Sequence, residues 1–502
     1  MNLTDLFRIN FARHANKIAI RFEDRALTFG ELDAQSNRVA RAFQRLGLQR
    51  GDRVAFYLGN RVELILAHLA NLKLGLVLVP MNTQYRDTEI SHIIADAEPR
   101  ALFTDRNQLS IIQALISNLH ASRPISILLA EELDALSARE SSDVIDARVD
   151  GDDLAAIMYT SGTTGRSKGA MLAHDNFIAN ITGLTHAWAM TADDRLLLAL
   201  PLFHTHGLGV ALHGALTVGA TTTLHRAFRA DLVFDALARE NISLFMGVPT
   251  MYVRLLEEIA KRGMTRVELP QMRLFVSGSA PLSIETFEQF EKIFGHKILE
   301  RYGMTETVMN ISNLYAGARI PGTVGVPLPG VSARVADERG NALPDGEVGE
   351  ILLRGSNVFR GYWRAPEKTV EAFIADADST RWFRTGDLGK RDPHTGYFSL
   401  LSRRSDLIIS GGYNIYPREV EELLHTHPAV LEAAVIAKPD AALGEIPVAF
   451  VALKHRATTD ELIAFCNAHL ARYKVPRAIL FLDTLPRNAM GKIEKKKLVG
   501  QI

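Results

Sequence analysis

The chain has 502 residues, enough for two to four domains at about 100–200 residues each. With 47% hydrophobic and 23% charged residues, its composition is that of a core-forming globular protein, not a disordered or fibrous one. Fifty-seven Lys and Arg balance 57 Asp and Glu, so no global field holds nucleic acid or anionic lipid, and the single Cys466 excludes a disulfide framework or a cysteine-rich metal site.

The N-terminus (MNLTDLFRINFARHANK) carries charges where a signal peptide needs an apolar stretch, and the apolar run from Leu64 to Pro80 is interrupted by His68, Asn71 and Lys73. The expectation is a cytoplasmic protein that associates with no membrane. Leu32, Val39, Ala40, Phe43 and Leu46 form one helical face that Gly47 ends. Val54–Leu58 reads as a strand, Val62–Leu74 as a helix and Leu76–Val79 as a strand, and Ile90–Ala97 with Ala101–Thr104 repeats the unit. Such alternation predicts α/β layers around largely parallel sheets. Between about Gly322 and Gly361, dense Gly and Pro with short strand runs such as Glu350–Leu353 predict a β-rich subdomain.

The last hundred residues read as a small α+β unit. Pro417 can start a helix through Val420, Leu423 and Leu424. Strands at Ala433–Ala437 and Val448–Leu453 follow, then a helix around Leu462 and Cys466 opened by the capping-box pair Thr458 and Glu461, then a strand at Ile479–Leu482. The boundary falls in the polar stretch Arg403–Asp406, giving domains 1–403 and 404–502. That stretch reads equally as a swivelling linker or as an ordinary surface turn.

Four local patterns carry chemistry. Thr160-Ser161-Gly162-Thr163-Thr164-Gly165-Arg166-Ser167-Lys168 follows the strand-like Leu154–Tyr159 and is dense in glycine and hydroxyls. Glycine lets main-chain N–H groups approach an anion, hydroxyls add donors, and Lys168 adds charge, so the segment suits phosphate; it lacks the GK[ST] ending of a Walker loop. The alternative is a plain polar loop between strand and helix. Glu300-Arg301-Tyr302-Gly303-Met304-Thr305-Glu306 offers a stacking face, a hydroxyl donor and a carboxylate of the kind Mg²⁺ takes with phosphate oxygens, or a strand-end turn. In Arg384-Thr385-Gly386-Asp387, the carboxylate can accept from two ribose hydroxyls or cap its own turn. Pro486-Arg487-Asn488-Ala489-Met490-Gly491-Lys492 precedes a basic tail of solvated lysines.

Taken in order and spacing, the TSGTTGRSKG loop, the YGMTE pentapeptide, the RTGD turn, the region from Arg403 through Gly-Tyr-Asn, and the PRNAMGK tail resemble the adenylate-forming superfamily. That superfamily contains acyl-CoA synthetases, luciferases and nonribosomal peptide adenylation domains. The resemblance covers nearly the whole chain. It implies a large N-terminal domain of layered α/β subdomains plus a β-rich subdomain, and a small mobile C-terminal domain. It also implies that a carboxylic acid is joined to ATP and the acyl group then passed to the thiol of CoA.

By the same resemblance, Thr160, Ser161, Gly162, Thr163, Thr164, Gly165 and Lys168 would embrace the β- and γ-phosphates. Thr305 would meet the α-phosphate, and Glu306 with Thr164 would hold Mg²⁺. Tyr302 would stack on adenine beside Ser277, Gly278, Ser279 and Ala280, with Glu300, Gly303 and Met304 completing the nucleotide site. Asp387 would take the ribose, with Arg403 near it. Lys492 would bridge the attacking carboxylate and the phosphate, a positioning and electrostatic role. The small domain would then rotate about a pivot at Ser405, where relatives carry Lys or Asp, and Gly411-Gly412 would help form the CoA tunnel.

Most relatives place a small residue where this chain has Arg301. A guanidinium in a buried pocket is costly unless an anion meets it, and a second carboxylate on the substrate would do so. The alternative partner is Glu300 or another protein carboxylate. By resemblance, His206 in Phe203-His204-Thr205-His206-Gly207 lines the acyl pocket, His204 lies near it, and Met309 forms its floor. The HTHG and ERYGMTET patterns are similar to malonyl-CoA synthetases within the superfamily, so the expected reaction joins malonate to CoA. Methylmalonate, a monocarboxylate, or loading of a carrier protein are the alternatives. Sequence gives no oligomeric state.

Overall fold

The computed structural model describes residues 1–118, 124–145, 147–160, 167–440, 443–488 and 491–501. Two α/β layers dominate the first three hundred residues. In the first, Arg53–Tyr57, Val77–Pro80, Ala101–Thr104 and Ser126–Leu129 run parallel, and Leu154–Thr160 joins them beside Lys168–Ala173. The second is a nine-stranded sheet in which Ile18–Phe22, Thr221–Leu224, Arg195–Leu198, Leu244–Gly247, Leu274–Ser277 and Leu299–Tyr302 are successively parallel.

The helix Val62–Leu74 lies between these layers and is buried at every position. Its apolar residues face all round, which suits a helix with no solvent side. Its polar interruptions find partners inside: His68 shares a hydrogen bond of 2.8 Å with His213, and Lys73 Nζ donates to Asp33, Ser36 and Asn37. Leu3, Phe56, Leu78, Leu198, Phe245 and Leu299 belong to one continuous core spanning both sheets.

A five-stranded antiparallel sheet follows, built from Val331–Ala336, Gly349–Gly355, Phe373–Ala375, Arg381–Arg391 and Phe398–Arg403. This is the β-rich region expected from the Gly and Pro texture. After the single turn Arg404–Asp406, Ile408–Ser410 already pairs within the sheet of the small unit. In that unit Pro417 stands at the first position of the helix Pro417–His425, and Thr458 with Glu461 forms the expected capping box before Thr459–His469. Strands Val430–Asp440 and Gly444–Leu453 run longer than the sequence pattern indicates, because mutual pairing over ten registers carries them past their apolar centres. The fold class is thus mixed α/β with a large N-terminal and a small C-terminal domain.

One local reading changes. The hydroxyl-rich segment joins two antiparallel strands, with Thr160 paired to Lys168, and the helix begins only at His174. Lys168–Ala173 has weak strand character in sequence and is held by the ladder of Leu154–Thr160.

Candidate active site

The carboxyl ends of two neighbouring parallel strands, Leu274–Ser277 and Leu299–Tyr302, open into a cavity of about 1540 Å³ between the large and small units. Ligands in α/β sheets collect at such strand ends. Lys168, His204, Ser279, Thr305, Glu306 and Lys492 all line it. Residues 161–165, including Ser161, Gly162, Thr163, Thr164 and Gly165, lie outside the described residues. Their flanks are in place: Thr160 and Lys168 line the cavity, and the Lys168 ammonium lies 5.0 Å from the ring centre of Tyr362.

Strand alternation separates the side chains of Leu299–Tyr302. On one face, the Glu300 carboxyl accepts from the Leu282 N–H at 3.2 Å, and burial pushes it up to about 7 despite the attraction of Arg418. On the same face, the Tyr302 phenol donates to Asp387, whose other carboxylate oxygen meets Arg403 Nε at 2.7 Å. Asp387 and Arg403 are cross-strand partners, so the antiparallel register of Arg381–Arg391 and Phe398–Arg403 builds this pair. Asp387 holds the Arg403 guanidinium above its usual range, and burial holds the Tyr302 phenol protonated.

Arg301 points to the other face and is 4% exposed. Its Nε and Nη2 have no hydrogen-bond partner, and among the described residues no carboxylate forms an ion pair with it. Burial pulls the guanidinium down to about 9. The nearby Tyr252 offers no counter-charge, because burial keeps its phenol protonated and donating to the Val276 carbonyl at 2.6 Å. Gly278 makes the room: a Cβ there would lie 2.5 Å from Arg301 Cζ and Nε. Ser277, fully buried, precedes it, and Ser279 adopts a positive φ of 69° that turns its hydroxyl to within 3.2 Å of His206 Nδ1.

His206 opens a π-helical turn, His206–Leu212, a geometry found mostly at functional sites. It is 1% exposed, its Nε2 has no partner, and burial followed by Arg301 keeps it well below its usual range. When the Ser279 hydroxyl donates to Nδ1, the neutral ring carries its proton on Nε2 as a donor. His204 accepts from the His206 N–H at 3.1 Å and is pushed to about 4 by burial and by Arg301. The site thus offers one buried cation with unused donors and two neutral imidazoles.

Glu306 is buried, and its carboxyl accepts from the Tyr362 hydroxyl at 2.9 Å. Burial raises its carboxyl. A carboxylate that forms no ion pair among the described residues, with Arg403 acting on it only from a distance, fits Mg²⁺, which takes one or two protein carboxylates together with phosphate oxygens. Tyr362 had no signal in sequence, because it comes from the loop before Pro366–Glu371 and shares no motif with Glu306.

Lys492 reaches the cavity from the small unit. The turn holding it is closed by the Asn488 side chain accepting from Lys492 N at 3.0 Å. The residue is exposed to the cavity, and desolvation by the surrounding protein, followed by the charge of Arg403, lowers its ammonium. Three expected residues do not line this cavity. Met309 is fully buried in the core, and the cavity wall at this point is Val308. Gly411 and Gly412, with φ of 56° and 83°, make the two-residue hairpin between Ile408–Ser410 and Tyr413–Ile415, a turn that requires positive φ at both positions. They are exposed on the small unit.

A sequence profile described as AMP-binding enzyme matches residues 7–363, and one described as AMP-binding enzyme C-terminal domain matches 419–492. The chain belongs to the AMP-binding enzyme family. This AMP-binding enzyme is 37% identical over 481 residues to a sulfoacetate–CoA ligase of Cupriavidus necator, covering 95% of this chain and 92% of that one. It is 35% identical over 514 residues to a mitochondrial malonate–CoA ligase of Mus musculus, covering 95% and 87%. It superposes on ATP-bound MatB from Rhodopseudomonas palustris with a TM-score of 0.92 at 41% identity over 100% of this chain and 99% of that one, and on apo MatB with 0.82. The chain is an acyl-CoA synthetase of the adenylate-forming superfamily, an AMP-forming acid–thiol ligase. No helix among the described residues is long and apolar enough to cross a membrane.

Proposed function

We propose that the enzyme makes malonyl-CoA, AMP and pyrophosphate from malonate, ATP and CoA through a malonyl-adenylate. The unpartnered guanidinium of Arg301 at the cavity wall carries this reading. A buried cation with two unused donors is matched by a substrate that brings its own anion, through two parallel charge-assisted hydrogen bonds. The free Nε2–H of His206 would donate to the same carboxylate.

In the first half-reaction, the other carboxylate attacks the α-phosphate in line. Lys168 and the loop from Thr160 would hold the outer phosphates, Thr305 the α-phosphate, and Tyr302 with Ser277–Ala280 the adenine. Asp387, paired with Arg403, would accept from the ribose hydroxyls. Glu306 and Thr164 would hold Mg²⁺, which neutralises charge on the phosphates when bound. Lys492 would sit between two approaching anions and offset a repulsion that is large in a water-poor cleft. The closer superposition on ATP-bound than on apo MatB supports the present arrangement as the one for adenylation. The domain boundary at residues 403/404, with rotation about Ser405 presenting Gly411-Gly412 to CoA, belongs to the same proposal.

The sulfoacetate–CoA ligase relative favours a second reading, because a sulfonate is also a fixed anion that a guanidinium can meet. Pyrophosphate release with malonate, methylmalonate, sulfoacetate, acetate, propionate, butyrate and ferulate decides between them. Malonate is expected to exceed the monocarboxylates in kcat/KM by about 10²-fold or more, since they leave Arg301 unpaired. Preference for sulfoacetate would install the second reading, and preference for a monocarboxylate would refute both.

A further inference from the structure

Val308 has φ of +57°, in the left-handed region that β-branched residues avoid. Glycine or asparagine takes that conformation far more readily. The surrounding structure over-determines it. Asn357 donates to the carbonyls on both sides, Thr307 O at 2.9 Å and Met309 O at 3.2 Å, and Asn180 donates to Met309 O at 2.6 Å. The Asn310 N–H closes the loop onto Tyr302 O at 3.0 Å. The return is so close that a Cβ at Gly303 would stand 2.2 Å from the Val308 carbonyl oxygen.

This clamp aims the isopropyl group across the cavity wall. Val308 is 2% exposed, lines the same cavity as His204 and Arg301, and its Cγ1 would be 3.5 Å from a Cβ on Gly209, in the turn that begins at His206. Strain that persists only under such constraint is a pointer to function. A residue that fits the backbone poorly is held where its side chain occupies space between the two walls of the site.

We infer that Val308 sets the size limit of the acid, narrowing the space beside Arg301 so that malonate fits and acids branched at the central carbon do not. The inference rests on the reading of this cavity as the acid site. The methyls of Val308 occupy the volume that a methyl or ethyl branch of the substrate would need. One methylene in an apolar pocket discriminates by about 10–200-fold, which bounds what the gate can do.

The test is kcat/KM for malonate, methylmalonate and ethylmalonate by pyrophosphate release, in the unmodified enzyme, Val308→Gly and Val308→Ala. Val308→Gly removes side chain and backbone strain together, and it should raise the methylmalonate-to-malonate ratio about 10-fold or more with KM for ATP unchanged. Val308→Ala keeps the backbone restriction, guards against a poorly folded glycine variant, and should move the ratio the same way by less. A ratio unchanged in both variants, or an equal fall for all three acids, would overturn the gate and leave the acid assignment standing. Absence of malonate turnover in the unmodified enzyme would overturn the assignment, and the gate with it.

Discussion

Burying a guanidinium without a counter-ion weakens a fold, because its hydration is lost and nothing replaces it. Arg301 is in that position, and its pull down to about 9 from an ordinary 12.5 expresses it. The sign follows: below about 9 the folded state carries the full penalty, and stability is regained as pH rises from there toward the unfolded value. Arg301→Met should therefore raise the stability of the ligand-free protein, by about 1–4 kcal/mol in denaturant unfolding. Malonate should raise the melting temperature of the unmodified protein but not of this variant. A variant less stable than its parent would mean the guanidinium is already compensated. Affinity runs the opposite way with pH, since only the charged form binds an anion. In the adenylation half-reaction without CoA, kcat/KM for malonate should fall as pH rises through about 9. Arg301 was legible in sequence because it stands where most members of the superfamily it resembles carry a small residue. Val308 was not, since a dihedral angle leaves no mark on a valine, and Met309, its apolar neighbour, looked the better wall.

At the level of elements, the site depends on backbones that approach closely. The strand Leu299–Tyr302 places Glu300 and Tyr302 toward the side of Asp387 and Arg301 toward the other, an alternation readable from sequence once the strand is placed. The space for Arg301 comes from Gly278 on the adjacent connection. Gly278→Ala would force its Cβ to 2.5 Å from the guanidinium, so the arginine must turn away. The expected result is a fall of about 10²-fold in kcat/KM for malonate, with monocarboxylates affected much less; equal loss for all acids would show that the substitution damages the nucleotide loop instead. Periodicity located the helix Val62–Leu74 at its observed bounds, because an interior helix keeps its apolar character all round. The π-helical turn at His206 was invisible, since its register is set by packing: a Cβ at Gly207 would meet the Pro201 carbonyl at 2.3 Å.

At the scale of the whole molecule, the cavity is lined by both units, Lys492 from the small one and Glu306, Arg403 and Arg301 from the large one. On the proposed reading, in which the lysine serves the first step, Lys492→Ala should reduce malonyl-adenylate formation by about 10²-fold or more while sparing thioester formation from supplied malonyl-adenylate. Loss of both half-reactions in parallel would contradict two working arrangements of the units. The two-unit plan was legible in the change from α/β alternation to a Gly- and Pro-rich antiparallel region and then to a compact terminal unit; that Lys492 and Arg301 line one cavity was not legible from local pattern, because they lie 191 positions apart in the chain. The most direct measurement compares kcat/KM for malonate and propionate in the unmodified enzyme and in Arg301→Gly. Malonate should be preferred by about 10²-fold or more in the parent and lose that preference in the variant, with propionate turnover equal or higher. A variant that keeps the preference for malonate would contradict the assignment of Arg301 as the anion's partner.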